Sequence, residues 1–303
     1  FADAFDAPWS ATGFGRQAGF GERALPVASI LVFLILLAII AGPINVMLFA
    51  GRGRPSRIFW TTPVISLVAT SFLLGLMFFR DGVGGAGTRR TLVLLDPDHN
   101  SMAVLQEQFS RTGVLLGRSF PIREPSWMFP QPPDSPPGMS TYGMMRSAGD
   151  FVEIDDQRRT GDWFASRSDQ AFTLQAVRPG RGKIELLGPA DAPEILSSLD
   201  VPLARVFLLD AEGRVWKTGP LEVGERRRLE PAGEREFDTV RHTLMGNASG
   251  AMNRAMSRLE GAREYAWAEA AAPRKVAIAT LDAIRWTSDT AWFVGPVVRS
   301  EGR

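Results

Sequence analysis

Residues 27–40 read Val-Ala-Ser-Ile-Leu-Val-Phe-Leu-Ile-Leu-Leu-Ala-Ile-Ile, and the uncharged run around them extends from Ala24 to Gly51. A helix of about 20 residues crosses the roughly 30 Å hydrocarbon layer of a bilayer, so this run can span it with some tilt. A second uncharged run extends from Ile58 to Phe79. Two such runs side by side predict a transmembrane hairpin over residues 24–80, rather than the core helix of a soluble protein.

The connection between the two runs, residues 52–57, contains Arg52, Arg54 and Arg57. So short a connection requires the two helices to be antiparallel neighbours. The positive-inside rule places short basic loops in the cytoplasm, so we expect both chain ends to lie outside it. Arginines also flank the hairpin on the other side, but acidic residues lie among them.

Polar and helix-breaking residues lie inside the predicted spans. Gly42–Pro43 interrupts the first helix, Asn45 follows it, and Pro63 lies at a similar depth in the second. One interpretation is a kinked polar site within the bilayer, as in transporters. The other is a proline kink in which Asn45 hydrogen-bonds to Thr61, Thr62 or a freed carbonyl. We favour the second, because two uncharged helices cannot enclose a pathway alone.

The second span also indicates its surroundings. Trp60 lies just inside the loop end, where interfacial aromatic residues belong. Small residues suit close helix packing or self-association through the hairpin. They are Ser66, Ala69, Thr70 and Gly75. The expected partners are therefore the lipid bilayer and either an envelope protein or, through the hairpin, a second copy of the chain.

Composition divides the rest of the chain into three parts. Residues 1–23 are rich in glycine but lack the spacing of a phosphate loop, and we expect the tail of an upstream extracytoplasmic domain. Residues 81–150 are expected to form a connecting region, with a strand at Thr91–Leu95 followed by many prolines. Residues 151–303 are expected to form the main extracytoplasmic domain.

Short β-type runs recur at roughly ten-residue intervals after residue 151, which predicts a mainly β, sandwich-like domain. Asp210–Gly213 is a good hairpin turn between two of them. An apolar stripe at helical spacing predicts one or two helices within residues 237–270, and Ala291–Val298 is expected to be a final buried strand. The β-type runs are Phe172–Val177, Lys183–Leu187, Leu203–Leu209, Arg214–Trp216 and Leu221–Val223.

No residues identify a reaction, so no catalytic, metal or cofactor residue is assigned and no cofactor is expected. The absence of cysteine excludes disulfides and thiolate chemistry. His99 with Asp96 and Asp98 could ligate a metal, but His242 is distant, so a surface turn is favoured. Calcium-loop spacing is absent. Gly246–Gly250 places its serine one position later than a nucleophile elbow requires.

Arg226–Arg228 is the most basic run of the predicted β domain. It could meet an anionic partner, such as lipid headgroups or an envelope polymer. A solvated strand edge, protected by charge from unwanted pairing, is the favoured interpretation. The net charge is +1 and aromatic residues do not interleave with basic ones, so no nucleic-acid partner is expected.

The hairpin resembles a group of poorly characterised bacterial membrane proteins. Their pattern is G-P-x-N late in one helix, a short Arg-rich turn, and an aromatic residue with T-x-P opening the next. Here it corresponds to Gly42–Asn45, Arg52–Arg57, Trp60 and Thr61–Pro63. The resemblance implies an upstream extracytoplasmic domain, sometimes glutamine-amidotransferase-like, and a β-rich domain after the helices. It carries no catalytic residues, and Val46 replaces the usual tyrosine.

Three functions are compatible with these patterns. The first is a membrane-anchored envelope protein in the bacterial inner (plasma) membrane, whose β domain binds or scaffolds another envelope component. The second is an enzyme with its active site in an upstream domain or near His99. The third is an accessory subunit of a transport complex that uses the kink at Gly42–Asn45.

Overall fold

The computed structural model describes residues 27–49, 58–115, 117, 119–131, 152–155, 158–161, 165–245, 250–259 and 262–300. They belong to two compact units. The hairpin unit lies within Phe20–Val83, and the β unit contains the described residues from Gly84 onward.

Proline interrupts the first helix of the hairpin unit without ending it. α1 (Val27–Ile39) passes through a π-helical turn, Ile40–Ile44, into α2 (Asn45–Phe49). Pro43, inside this turn, has no N–H and its ring would clash with the carbonyl four residues earlier in an α-helix. A wider π turn avoids that clash. The N–H of Asn45 donates to the Ile40 carbonyl and so closes the wide turn.

The second helix of the unit, α3 (Ile58–Asp81), runs for 24 residues and contains Pro63. Both helices expose apolar side chains. Only 6 % of each 18-residue window, Leu31–Leu48 and Phe59–Leu76, is buried. The core helix of a soluble protein would be mostly buried, whereas lipid tails accept such a surface. The two helices are therefore long and apolar enough to cross a membrane.

Mainly β structure follows the hairpin unit, as the sequence predicts, and the described residues there include three helices among the strands. The helices are α4 (Glu234–Met245), α5 (Gly250–Ser257) and α6 (Pro273–Val276). The strands are β1 (Gly85–Asp96), β2 (Ser101–Thr112), β3 (Ser119–Pro121), β4 (Trp127–Gln131), β5 (Val152–Asp155), β6 (Arg158–Gly161), β7 (Asp169–Pro179), β8 (Ile184–Leu187), β9 (Glu194–Ser197), β10 (Leu203–Leu209), β11 (Val215–Thr218), β12 (Arg226–Arg228), β13 (Glu230–Pro231), β14 (Tyr265–Ala270), β15 (Ile284–Pro296) and β16 (Val298–Arg299).

The strands of the described residues form three sheets. The largest has the order β13-β11-β10-β14-β15-β1-β2-β7-β4, the second β12-β9-β8-β16 and the third β3-β6-β5. β1 pairs in parallel with β15 and β16 pairs in parallel with β8, while the neighbouring pairs are antiparallel. The two larger sheets are therefore mixed.

The nine-stranded sheet is buried on both faces because apolar side chains occupy successive positions along its strands. On one face, Val206 and Leu208 of β10 and Phe293 of β15 share an apolar core with Ile184 and Ile195 of the four-stranded sheet. The four-stranded sheet therefore packs on this face. Each large side chain buried there contributes about 1.5–3 kcal/mol relative to exposure.

Helices pack on the opposite face. Phe237 of α4 lies 5.8 Å from the ring of Phe207 of β10 and 5.7 Å from that of Trp267 of β14. Met252 and Met256 of α5 belong to the same apolar cluster. The predicted apolar stripe of α5 is thus a core-facing surface, and the prediction of one or two helices is confirmed for α4 and α5.

Both edges of the nine-stranded sheet contain proline. β13 at one edge includes Pro231, and β4 at the other includes Pro130. Proline has no N–H to donate, so it hinders the addition of another strand. β12, the Arg226–Arg228 run, is an edge strand of the four-stranded sheet. Arg226 pairs with Glu194 and Arg227 with Glu225, in keeping with a solvated strand edge.

The structure changes three predicted elements. β1 and β2 lie within the nine-stranded sheet beside β15 and β7, so residues 85–112 are part of the same fold as residues 165–300, not a connection to it. Tyr265–Ala270, inside the segment predicted to be helical, is strand β14. Its alanines favour a helix, but Trp267 and its neighbours alternate between the two cores. Leu221 makes one bridge to Leu203 and does not begin a strand.

Glycines just before β1 and near its start are needed for close packing. Gly84 has φ +83°, and a Cβ there would collide with the Ala283 carbonyl oxygen. A Cβ on Gly87 would lie 2.7 Å from the Phe109 carbonyl oxygen and 2.8 Å from the Trp286 ring. A larger residue at either position would displace the backbone of a neighbouring segment.

Candidate functional site

The predicted polar residues of the hairpin unit meet at one point. Asn45 is only 2 % exposed. Its Oδ1 accepts a hydrogen bond of 2.7 Å from the Thr61 hydroxyl, and its Nδ2 donates one of 3.1 Å to the Thr62 hydroxyl. Both polar ends of the amide are therefore satisfied between the two helices. This is the contact expected for a proline kink with a packing role.

Apolar contacts accompany this polar one. The rings of Phe33 and Phe72 stack with centroids 5.6 Å apart and planes 19° apart. Ala69 is 7 % exposed. By contrast, a Cβ on Gly42 or Gly75 would meet nothing within 4 Å, so neither glycine is needed for close approach inside the hairpin unit.

The remaining predicted hairpin residues divide between described and undescribed positions. Trp60 is 75 % exposed near the start of α3, and Pro63 lies inside that helix. Arg52, Arg54 and Arg57 lie outside the described residues. The loop and the direction of the hairpin therefore stay predictions.

His99 lies in the turn between β1 and β2. Its Nδ1 is 3.0 Å from both carboxylate oxygens of Asp96, and its side chain is 79 % exposed. The hydrogen bond to Asp96, with the charge of that carboxylate, raises the pKa of His99 above its ordinary value. Among the described residues, no group of three or more metal-ligating side chains could hold an ion. The turn thus has the geometry of a surface ion pair.

A buried ion pair crosses the centre of the nine-stranded sheet. Arg89 of β1 and Asp289 of β15 are direct neighbours in the parallel pair. Arg89 donates from Nε to Asp289 Oδ1 over 3.0 Å and from Nη2 to Oδ2 over 2.5 Å. Their side chains are 5 % and 9 % exposed. The Trp286 ring lies 5.1 Å from the guanidinium carbon and shields one side of the pair.

A polar network extends from this region along β2. The Gln106 amide accepts from the Ile278 N–H over 2.7 Å and donates to the Ile278 carbonyl over 3.0 Å. Its Nε2 also lies 3.2 Å from Gln108 Oε1, which accepts from Thr280 over 2.9 Å. Both glutamines are fully buried. They hold the segment after α6 against the sheet, so this network has a structural role.

A surface cavity of about 440 Å³ lies beside the hairpin turn of β10 and β11. Asp191 and Glu234 line it together with Arg214. The rest of the lining is mostly apolar and consists of Gly213, Val215, Trp216, Pro231 and Ala232. Its volume is within the roughly 300–1,000 Å³ usual for binding sites.

Asp210 organises one wall of this cavity. Its Oδ2 accepts hydrogen bonds from Arg214 Nε over 2.7 Å and from Trp216 Nε1 over 2.9 Å, and its Oδ1 accepts from the Arg214 N–H over 2.7 Å. Burial alone would raise the pKa of Asp210, but these hydrogen bonds outweigh it and hold that pKa below its ordinary value. The side-chain hydrogen bond between Arg214 and Asp210 also raises the pKa of Arg214. The turn is therefore a rigid, charged structure.

The sequence predicts the turn at Asp210–Gly213 but not the cavity beside it. Asp191, Trp216 and Glu234 lie on three separate segments, namely the loop between β8 and β9, strand β11 and the start of α4, and they meet only in the folded chain. The one signal for the cavity in the sequence is Trp216, which lies two residues after Arg214 at the end of the turn.

Comparisons with known proteins add little to this geometry. No family model matches the chain, and no curated protein matches it. Among solved structures it is similar to the yeast delta-COP-I mu-homology domain complexed with Dsl1 WxWxV peptide. The TM-score is 0.24 and the identity 9 %, over 48 % of this chain and 73 % of that one. A likeness this slight supports no functional assignment.

Proposed function

We propose that this chain is a membrane-anchored protein of the bacterial envelope, held by its hairpin, and that the β unit is a binding or scaffold module outside the cytoplasm. The observation that carries the proposal is the apolar surface of the two helices, of which only 6 % of each span is buried. Such a surface is stable in lipid and unstable in water. The Arg-rich connection supports the direction.

The β unit offers a partner its outer side chains rather than its backbone. Both faces of the central sheet pack against other elements, and both edges contain proline. A partner strand would find few backbone donors there. Recognition through a side-chain surface is therefore the mode that the fold favours.

The alternative functions have less support. A transport role needs free polar groups along a pathway, but the amide of Asn45 is engaged by Thr61 and Thr62. Catalysis near His99 needs a pocket that excludes water, but the His99 side chain is 79 % exposed.

Membrane insertion is tested with a matched pair of arginine substitutions. Val68 is 63 % exposed within the second apolar window, and Val223 is 52 % exposed in the β unit. Arginine near the centre of a span costs about 2.5–3.5 kcal/mol on insertion scales. We expect Val68→Arg to reduce the fraction retained in carbonate-washed membranes, and Val223→Arg to leave it unchanged. Release of the unsubstituted chain by carbonate would overturn the anchoring proposal.

The binding role needs a separate test in the full chain. A photoreactive amino acid placed at Val177 or Val223, both more than half exposed, should form discrete cross-linked species in intact cells. The same group at Leu208, which is fully buried, is the control. If exposed and buried positions give the same pattern, the β unit is not a binding module.

A further inference from the structure

We propose that the cavity beside Arg214 and Trp216 binds an arginine-containing basic segment of a partner protein. This inference rests on the proposed role of the β unit as a binding module and names the chemistry of its partner.

The arginine in the cavity wall is already neutralised. Arg214 lies 2.7 Å from Asp210, 3.2 Å from Glu212 and 3.6 Å from Asp191, measured between guanidinium nitrogens and carboxylate oxygens. One guanidinium thus faces three carboxylates before Glu234 is counted. Arg263 donates to the Ala211 carbonyl and does not line the cavity. The field in the cavity therefore attracts cations and repels anions.

Two carboxylates that line the cavity are available to a ligand. The side chain of Asp191 is 96 % exposed and makes only a long contact with Arg214. Glu234, the first residue of α4, lines the same cavity and is exposed. The contacts among described residues give its carboxylate no hydrogen bond or ion pair. Because Asp210 is held by Trp216 and Arg214, Asp191 and Glu234 are the groups left to pair with a cation.

The lining between these acids suits a long side chain with an apolar stem. Val215, Pro231 and Ala232 provide aliphatic surface. Arginine combines three methylenes with a planar guanidinium that pairs with two carboxylate oxygens at once. Pro231 lies at the sheet edge beside the cavity and hinders backbone pairing there. A basic side chain that enters the cavity therefore fits better than an added strand.

The test measures binding of two synthetic peptides to the full chain in detergent. The probes are acetyl-Gly-Arg-Arg-Gly-amide and acetyl-Gly-Glu-Glu-Gly-amide, titrated calorimetrically at low ionic strength. We expect the basic peptide to bind and the acidic peptide not to bind. Asp191→Asn with Glu234→Gln should weaken the basic peptide about tenfold, the scale of two exposed ion pairs. Higher salt should weaken it further.

A matched control separates the cavity from general charge. Asp200→Asn with Glu222→Gln removes two exposed carboxylates elsewhere in the β unit and should leave binding unchanged. Asp191→Lys with Glu234→Lys should reverse the preference toward the acidic peptide. The proposal would be overturned if the two neutral double substitutions weakened binding of the basic peptide equally. Equal binding of both peptides by the unsubstituted chain would also overturn it.

The peptide test is independent of the membrane and cross-linking tests. If the chain does not discriminate between the two peptides, the proposed role of the cavity is rejected, while the proposals of membrane anchoring and partner binding stand. A failure of anchoring or of cross-linking removes the proposed function, whatever the peptides show. The two proposals therefore fail under different observations.

Discussion

Arg89 and Asp289 face each other across the parallel pair β1–β15, joined by two hydrogen bonds although 200 positions separate them in sequence. Each charge is buried, so the pair depends on both members being present. Breaking such a pair costs more than the pair contributes, because the remaining charge stays buried without its partner.

Asp289→Asn should therefore lower the free energy of unfolding by about 3–5 kcal/mol. The exposed pair Arg226–Glu194 is the control, and Glu194→Gln should cost less than about 1 kcal/mol. Denaturant unfolding of the full chain in detergent, followed by tryptophan fluorescence, measures both. Similar losses for the two substitutions would mean that burial at Asp289 does not matter.

The Asn45 contact should couple the two hairpin helices. A double-mutant cycle between Asn45→Ala and Thr61→Val should give a coupling free energy of about 0.6–1.7 kcal/mol, the range of interhelical hydrogen bonds in membrane proteins. Thr70, which is exposed on the same helix, provides the control cycle and should show none. The measurement is unfolding of the hairpin in mixed detergent micelles, and equal coupling in both cycles would contradict the structure.

Asp210 should make the β unit sensitive to acid. Its folded-state pKa lies below its ordinary value, so its stabilising effect is present above the unfolded pKa of about 3.9. That effect is lost as the pH falls through the folded-state pKa. We expect Asp210→Asn to lower the free energy of unfolding at pH 7 by about 1.5–3 kcal/mol, the scale of hydrogen bonds to a charged group.

The same substitution should also flatten the loss of stability below pH 5. The free energy of unfolding, measured from pH 7 to pH 3 for both proteins, provides the check. If the two curves stay parallel down to pH 3, the carboxylate at Asp210 is not the group responsible. Asp200→Asn, at an exposed position, is the matched control and should change neither the value at pH 7 nor the slope.

The proposed direction of the hairpin predicts a labelling pattern. The chain has no cysteine, so single cysteines can be introduced without background. Ala279→Cys, at an exposed position of the β unit, should react with impermeant thiol reagents in intact cells. Ser56→Cys in the Arg-rich connection should react only after the membrane is opened. The opposite pattern would invert the orientation.

The sequence predicts well whatever depends on local composition. Uncharged runs indicate both hairpin helices, and Asn45 could be matched to Thr61 and Thr62 because one short loop sets the helix register. The turn at Asp210–Gly213 joins two antiparallel strands as predicted. In each case, neighbours in the chain are also neighbours in space.

Pairing between distant segments determines the features that the sequence does not predict. In β2 the apolar run Met102–Leu105 is followed by three polar residues, Gln106–Gln108. Gln106 and Gln108 are nevertheless fully buried, because the segment after α6 bonds to them. By sequence alone, Arg89 is one of the charges that flank the hairpin. In the structure it is a core residue, because Asp289 lies beside it. The cavity beside Arg214 exists only when three chain segments converge. Local patterns do not contain these relationships.

The parallel pairing of β1 with β15 also has a consequence for assembly. β1 is synthesised early, directly after the apolar helices, while β15 is synthesised nearly two hundred residues later. Contacts of such long sequence separation form slowly and leave strand edges unpaired for a time. One edge of β1 must therefore stay unpaired while the rest of the chain is synthesised. A chaperone that covers hydrophobic strands would favour correct folding of the β unit.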